Sequence, residues 1–242
     1  MTYETIRADI QPDRVATLVL SRASKRNAIS IAMRREISAC LSSWRDDGAV
    51  GVVVLSGEGV AFSAGFDLEE FKQPERYQEL FETSARYHRD VWRFPKPIIA
   101  AVNGPAMGGG FDLATLCDMR VGSTRAYFGH PEIKFGAPPL YTPLRWIIGE
   151  GIARELCLTG RGIDAAEAHR IGLLTEVVDG SRDVVERAVG LARQILEAPL
   201  QALRFTKHYF VANAGKGFEE AFQLEHDRAF EEILLPAMRA RV

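Results

Sequence analysis

Ile98-Ile99-Ala100-Ala101-Val102-Asn103-Gly104-Pro105-Ala106-Met107-Gly108-Gly109-Gly110-Phe111-Asp112-Leu113-Ala114 is the stretch whose reading decides the fold. The apolar run Ile98–Val102 predicts a strand, and a turn then leads into a helix predicted over Gly109–Leu116. Three glycines at the start of that helix remove side chains, so free backbone N–H groups and the positive helix end can face an anion. A similar turn, Ala61-Phe62-Ser63-Ala64-Gly65-Phe66-Asp67-Leu68, follows the apolar run Val52–Leu55, which reads as a strand buried on both faces. A free N–H at Phe66 in this second turn would complete a two-donor oxyanion hole. Glycines placed this way also suit tight turns and close helix packing, so both readings stand at this level.

Further out, Val15–Leu20 reads as a strand, and Ser30 can cap a helix whose Met33, Ile37, Leu41 and Trp44 share one stripe. A weaker strand begins near Met119. Between the second and third strands, Glu75 to Phe94 carries Tyr77, Leu80, Phe81, Ser84, Tyr87 and Val91 at helical spacing, and that stripe reads as core. Strands alternating with helices indicate an α/β architecture. Beyond Gly180 only helices are predicted: Asp183 to Glu197, Pro199 to Asn213, and Gly217 to about Leu235. The expected division is therefore a core over residues 1–180 and a C-terminal helical module over 181–242.

Composition narrows the function. The 242 residues are 47% hydrophobic, enough for a real core, and a net charge of -2 leaves no basic face for a nucleic-acid backbone. No basic leader precedes an apolar segment, and no run nears the ~18 apolar residues of a membrane span, so the expectation is a soluble, cytoplasmic chain. Cys40, Cys117 and Cys157 each sit in an apolar segment and read as buried structural thiols. The five histidines show no metal-ligand spacing, so metal-free chemistry is expected. Residues 104–110 match neither a phosphate loop nor a dinucleotide fingerprint, and Ala61 spoils a nucleophile elbow around Ser63.

The two glycine turns, in this order, resemble the oxyanion-hole segments of the crotonase (enoyl-CoA hydratase/isomerase) superfamily. The resemblance extends through Arg22-Ala23-Ser24-Lys25-Arg26-Asn27-Ala28-Ile29, similar to the family's coenzyme A-binding loop, and through Phe128-Gly129-His130-Pro131-Glu132-Ile133, similar to its second catalytic segment. It continues in Leu158-Thr159-Gly160, Ala165-Ala166-Glu167-Ala168 and Gly172-Leu173-Leu174, and so covers essentially the whole chain. It implies a crotonase-like spiral of ββα units followed by C-terminal helices that support trimerisation and cover the active site. The implied partners are an acyl-CoA thioester and further copies of the chain, in a trimer or a dimer of trimers. Coenzyme A would belong to the substrate, with no separate cofactor.

Residue by residue, the resemblance makes the Phe66 and Gly109 N–H groups the donors to the thioester oxygen. Lys25, Arg26, Ala28, Ala64, Asp67 and Leu68 would bind coenzyme A, although Lys25 and Arg26 are equally at home in a solvated basic turn. Asp112 and Glu132 match the two acids of a hydratase, one orienting or deprotonating water and the other delivering a proton to the α carbon. Two departures stand out. Asp112 is one methylene shorter than the usual glutamate, and Pro138-Pro139-Leu140-Tyr141-Thr142-Pro143 replaces a glycine-rich loop, so Pro139, Leu140 and Tyr141 are expected to reshape the acyl pocket. The leading expectation is an enoyl-CoA hydratase. An isomerase using Glu132 alone, a non-catalytic acyl-CoA-binding protein and an acyl-CoA hydrolase are the alternatives.

Overall fold

The structure is a computed structural model that describes residues 2–179 and 183–239. Its first half repeats one short plan. β1 (Ile6–Ile10) pairs antiparallel with β2 (Val15–Leu20), Ile29 forms an isolated bridge, and α1 (Ile31–Trp44) follows. β3 (Val52–Gly57) then leads to a bridge at Ser63 and to α2 (Tyr77–Trp92). β4 (Ile98–Val102) leads to β5 (Pro105–Met107) and α3 (Gly109–Leu116), and β6 (Met119–Ser123) leads to β7 (Tyr127–Gly129). α4 (Tyr141–Ile148), α5 (Glu150–Thr159), β8 (Ile163–Asp164), α6 (Ala165–Arg170) and β9 (Glu176–Val178) complete this part.

Each lap thus places one strand in a six-stranded sheet, ordered β1-β2-β3-β4-β6-β9, and one segment in or beside a small sheet, β5-β7-β8. From β2 onward the large sheet is parallel, and Val52 to Leu55, Ile98 to Val102 and Val121 are buried, as expected of strands covered on both faces. One apolar cluster joins Leu18, Val53, Leu55 and Ala100 to α1, α2 and α3. A second joins Val52, Val54, Ile99 and Val121 to Val184, Ala188, Val189 and Ala192 of α7 (Val184–Ile195). The expected division at residue 180/181 lies outside the described residues.

Local chemistry explains the helix ends. Ser30 caps α1 by accepting from the Met33 N–H at 3.2 Å, and Met33, Ile37, Leu41 and Trp44 are buried, as the stripe predicts. The α3 bounds agree with those read from the sequence. The expected all-core stripe of α2 is only partly so: Leu80, Tyr87 and Val91 are buried, whereas Tyr77 and Phe81 are 51% and 69% exposed. The first turns of α2 line an open cavity instead of meeting the sheet. After α7 come α8 (Leu200–Ala212) and α9 (Phe218–Phe222); the expected last helix then widens into π-helical turns over Gln223–Arg228 and Phe230–Leu234 before α10 (Leu235–Arg239). Among the described residues, no helix is long and apolar enough to cross a membrane.

Candidate active site

The two glycine turns meet. Ser63 pairs with Ala106 through Ser63 N–H to Pro105 O (3.1 Å) and Met107 N–H to Ser63 O (2.9 Å), which draws the Phe66 turn alongside β5 and the start of α3. Each of the three glycines answers a different neighbour. An added Cβ would lie 3.1 Å from Glu132 Oε2 at Gly108, 2.9 Å from the Phe66 ring at Gly109, and 2.6 Å from the Ser63 carbonyl oxygen at Gly110. Gly65 and Gly108, with φ of 93° and 50°, also adopt backbone that L side chains rarely take. Among the described residues, no hydrogen bond engages the Phe66 or Gly109 N–H, so two donors remain available where the turns converge.

Phe66 is braced from behind. The fully buried Arg34 guanidinium lies 4.5 Å from the centre of its ring and 3.6 Å from Glu70, which itself accepts the Ile31 N–H at the start of α1. The Phe66 ring borders a cavity of about 460 Å³ lined by Phe71, Tyr77, Leu80, Phe81 and Ser84. Pro139 and Leu140 do not line this cavity. They precede α4, where Leu140 is 37% exposed and the buried Tyr141 hydroxyl has no partner among the described residues.

The loop carrying Lys25, Arg26 and Ala28 is laced to the segment carrying Ala64, Asp67 and Leu68. Ala64 N–H donates to Arg26 O (2.8 Å), Ile29 N–H to Gly65 O (2.7 Å), and Asp67 N–H to Ile29 O (3.2 Å). Arg22, to which the sequence reading assigned no role, clamps both segments by donating to Ala28 O (2.6 Å) and pairing with Asp67 (2.9 Å). Lys25, Arg26, Ala64 and Leu68 are exposed.

The acids come from different elements. Asp112 sits one turn into α3, and Glu132 follows β7 on a short 3-10 turn, Pro131–Phe135. Between them lies His130, whose Nε2 is 2.9 Å from Asp112 Oδ1 and whose ring stacks on Phe111 at 4.6 Å. Sequence reading quoted His130 but gave it no function. No periodicity links positions 112 and 130; the only signal was a polar ring inside an apolar segment. Ligand atoms of Asp112, His130 and Glu132 all lie within 4.8 Å of one another. Such a grouping could hold a cation, although no sequence spacing signalled it and the imidazole is already bonded to Asp112.

Burial of the His130 ring works against its charge, yet the Asp112 carboxylate, with the Cys157 thiol and Glu132 adding to it, pushes its pKa up to about 9. Burial holds the Glu132 carboxyl above the usual range; nearby Asp112 adds to this, while its own backbone N–H and His130 oppose it. Glu132 Oε2 is buried without a hydrogen-bond partner among the described residues, beside Gly108. A carboxyl so placed can exchange a proton with a group bound in front of the glycine turn.

Paired backbone donors beside two acids, on laps of ββα chain, place two free N–H groups next to groups that can exchange a proton. The chain belongs to the enoyl-CoA hydratase/isomerase family of the crotonase superfamily, whose family description matches residues 11–234. A relative from Rhizobium meliloti named "Probable enoyl-CoA hydratase" is 38% identical over 210 residues, covering 86% of this chain and 81% of the relative. A 4-chlorobenzoyl coenzyme A dehalogenase-2 from Arthrobacter is 33% identical over 241 residues, covering 95% and 86%. The crystal structure of an enoyl-CoA hydratase from Bacillus anthracis superposes with a TM-score of 0.90 at 29% identity, covering 98% of this chain and 97% of that one.

Proposed function

We propose that this chain is an enoyl-CoA hydratase, adding water reversibly across the double bond of a 2-enoyl-CoA thioester. The observation that carries the reading is the convergence of Glu132 and Asp112 beside the Gly108-Gly109 turn. In this reading Phe66 and Gly109 N–H groups hold the thioester oxygen as negative charge develops on it. Glu132 takes a proton from water as the oxygen bonds to the β carbon, electrons shift to the thioester oxygen, and a proton is returned at the α carbon. Asp112 orients the water through its remaining acceptor capacity.

Coenzyme A lies along Lys25, Arg26, Ala28, Ala64, Asp67 and Leu68, with the acyl group directed towards the cavity beside Phe66. The substrate itself brings the coenzyme A, and no separate cofactor takes part. Three copies, or two such trimers, form the assembly; the exposed Phe218, Phe222, Phe230, Leu234 and Met238 support it, and light scattering tests it. The proposed location is the cytoplasm.

Hydration of crotonyl-CoA, followed by loss of the conjugated thioester absorbance, tests the activity. The expected outcome is turnover dependent on Glu132. A second reading, double-bond isomerisation, draws on the Asp112–His130 bond, which leaves Glu132 as the acid with a free oxygen. Migration of a 3-enoyl-CoA double bond without hydration would select it. Release of free thiol would instead mark a hydrolase.

A further inference from the structure

We propose that His130 is a positioning residue that holds the Asp112 carboxyl in one orientation, so that the shorter acid can serve as the water-holding partner of Glu132. The proposal rests on the hydratase reading for its kinetic consequences, whereas the dyad itself can be tested without turnover.

Several observations converge. The His130 side chain is 1% and the Asp112 side chain 9% exposed, and they meet at 2.9 Å. The bond uses Oδ1 alone, and no other side-chain hydrogen bond to the Asp112 carboxylate occurs among the described residues, so Oδ2 keeps its acceptor capacity. The imidazole is fixed by its stack on Phe111, with the Cys157 thiol beside it. A flexible one-methylene carboxylate is thereby tied to a rigid ring, and a misplacement of about 1 Å at such a group can cost about 10²-fold in rate.

Charge supports the same role. The groups around His130 are Asp112 on α3, Glu132 beyond β7 and the Cys157 thiol on α5; Tyr87 and His88 on α2 and Arg34 on α1 lie in the same electrostatic neighbourhood. Burial pushes the His88 pKa down to about 4, so His88 supplies no positive charge near neutrality. With the His130 pKa at about 9, the imidazole supplies one positive charge between Asp112 and Glu132 below that pH and none above it. Loss of that positive charge beside a forming enolate opposes the reaction, so turnover falls as pH rises through about 9.

The test pairs two measurements on the full chain. First, histidine ring signals are followed against pH by NMR in the ¹⁵N-histidine-labelled protein, with His130→Gln assigning the resonance. Wild-type His130 is expected to titrate near 9, and Asp112→Asn is expected to move it down towards 6.5. A wild-type value at or below 6.5 overturns the dyad whether or not the protein hydrates anything. Second, kcat and KM for crotonyl-CoA are measured across pH. His130→Gln, which retains a donor but no charge, is expected to lower kcat about 10-fold and abolish the basic limb, and His130→Phe to lower kcat about 10²-fold with KM little changed. Folded variants with wild-type kcat and an unchanged basic limb overturn the proposal and leave the hydratase reading intact. Absence of hydration in the wild type removes that reading while the titration still decides the dyad.

Discussion

The two halves of the site are built from opposite materials. On one side, residues 62–67 and 105–110 present main chain, and packing fixes their positions: a Cβ at Gly110 would press on a backbone carbonyl, and one at Gly109 on the Phe66 ring. On the other side, Asp112, His130 and Glu132 present titratable side chains whose state depends on one another. The difference teaches where each half is vulnerable. The main-chain half is indifferent to pH and intolerant of added atoms, whereas the side-chain half keeps its fold through an isosteric change but loses its chemistry with it, and responds to protons.

Glu132→Gln should break the side-chain half most deeply, lowering turnover about 10² to 10⁴-fold while affinity for the thioester and the melting temperature change little. Wild-type turnover in this variant would remove Glu132 from the mechanism. Gly109→Pro attacks the other half by deleting a backbone donor, with an expected loss of about 10² to 10³-fold. Because proline can also distort the turn, circular dichroism and acyl-CoA binding must accompany the rate measurement.

Stability sharpens the contrast. The His130 pKa is raised on folding, from 6.5 to about 9, so the Asp112–His130 pair contributes stability that is fully present below about pH 6.5 and lost as pH rises through about 9. The loss is on the order of 3 kcal/mol, read as a falling denaturation midpoint, and it should vanish in Asp112→Asn. A wild-type midpoint flat across that interval contradicts the pairing. Gly110→Ala should instead destabilise by about 1–3 kcal/mol at every pH, since its Cβ meets the Ser63 carbonyl rather than a titrating group. Equal urea midpoints for Gly110→Ala and wild type would show that the turn can yield.

The same contrast explains what was legible in the sequence. Strands Val15–Leu20 and Ile98–Val102, the Ser30 cap and helix Gly109–Leu116 were readable because apolar runs, a capping hydroxyl and consecutive glycines are local signals. The meeting of Phe66 with Gly109, expected from the two glycine turns and from the family resemblance, depends on the Ser63–Ala106 bridge between consecutive laps, which no local signal encodes. His130 escaped because its significance lies in a contact across 18 residues with no shared period. Tyr77 and Phe81 misled for the opposite reason: their helical spacing was real, but helix periodicity does not say whether a face meets a sheet or an open cavity.

One feature at the far end of α3 bears on the field at its near end. Buried Arg120, delivered by β6, donates to the Ala114 (3.3 Å) and Cys117 (2.8 Å) carbonyls where the helix stops. Those carbonyls form the negative pole of a helix roughly 12 Å long, and a cation placed there offsets it. The Gly109 end is then less opposed, and a carbonyl bound in front of it experiences a more polarising field. Vibrational spectroscopy reads such a field directly: the thioester C=O stretch of a bound acyl-CoA should move to higher frequency in Arg120→Met, although Arg120 touches no substrate atom. The strand register that sets β6 against β4 is, in this sense, part of the electrostatic tuning of a site on the other side of the helix.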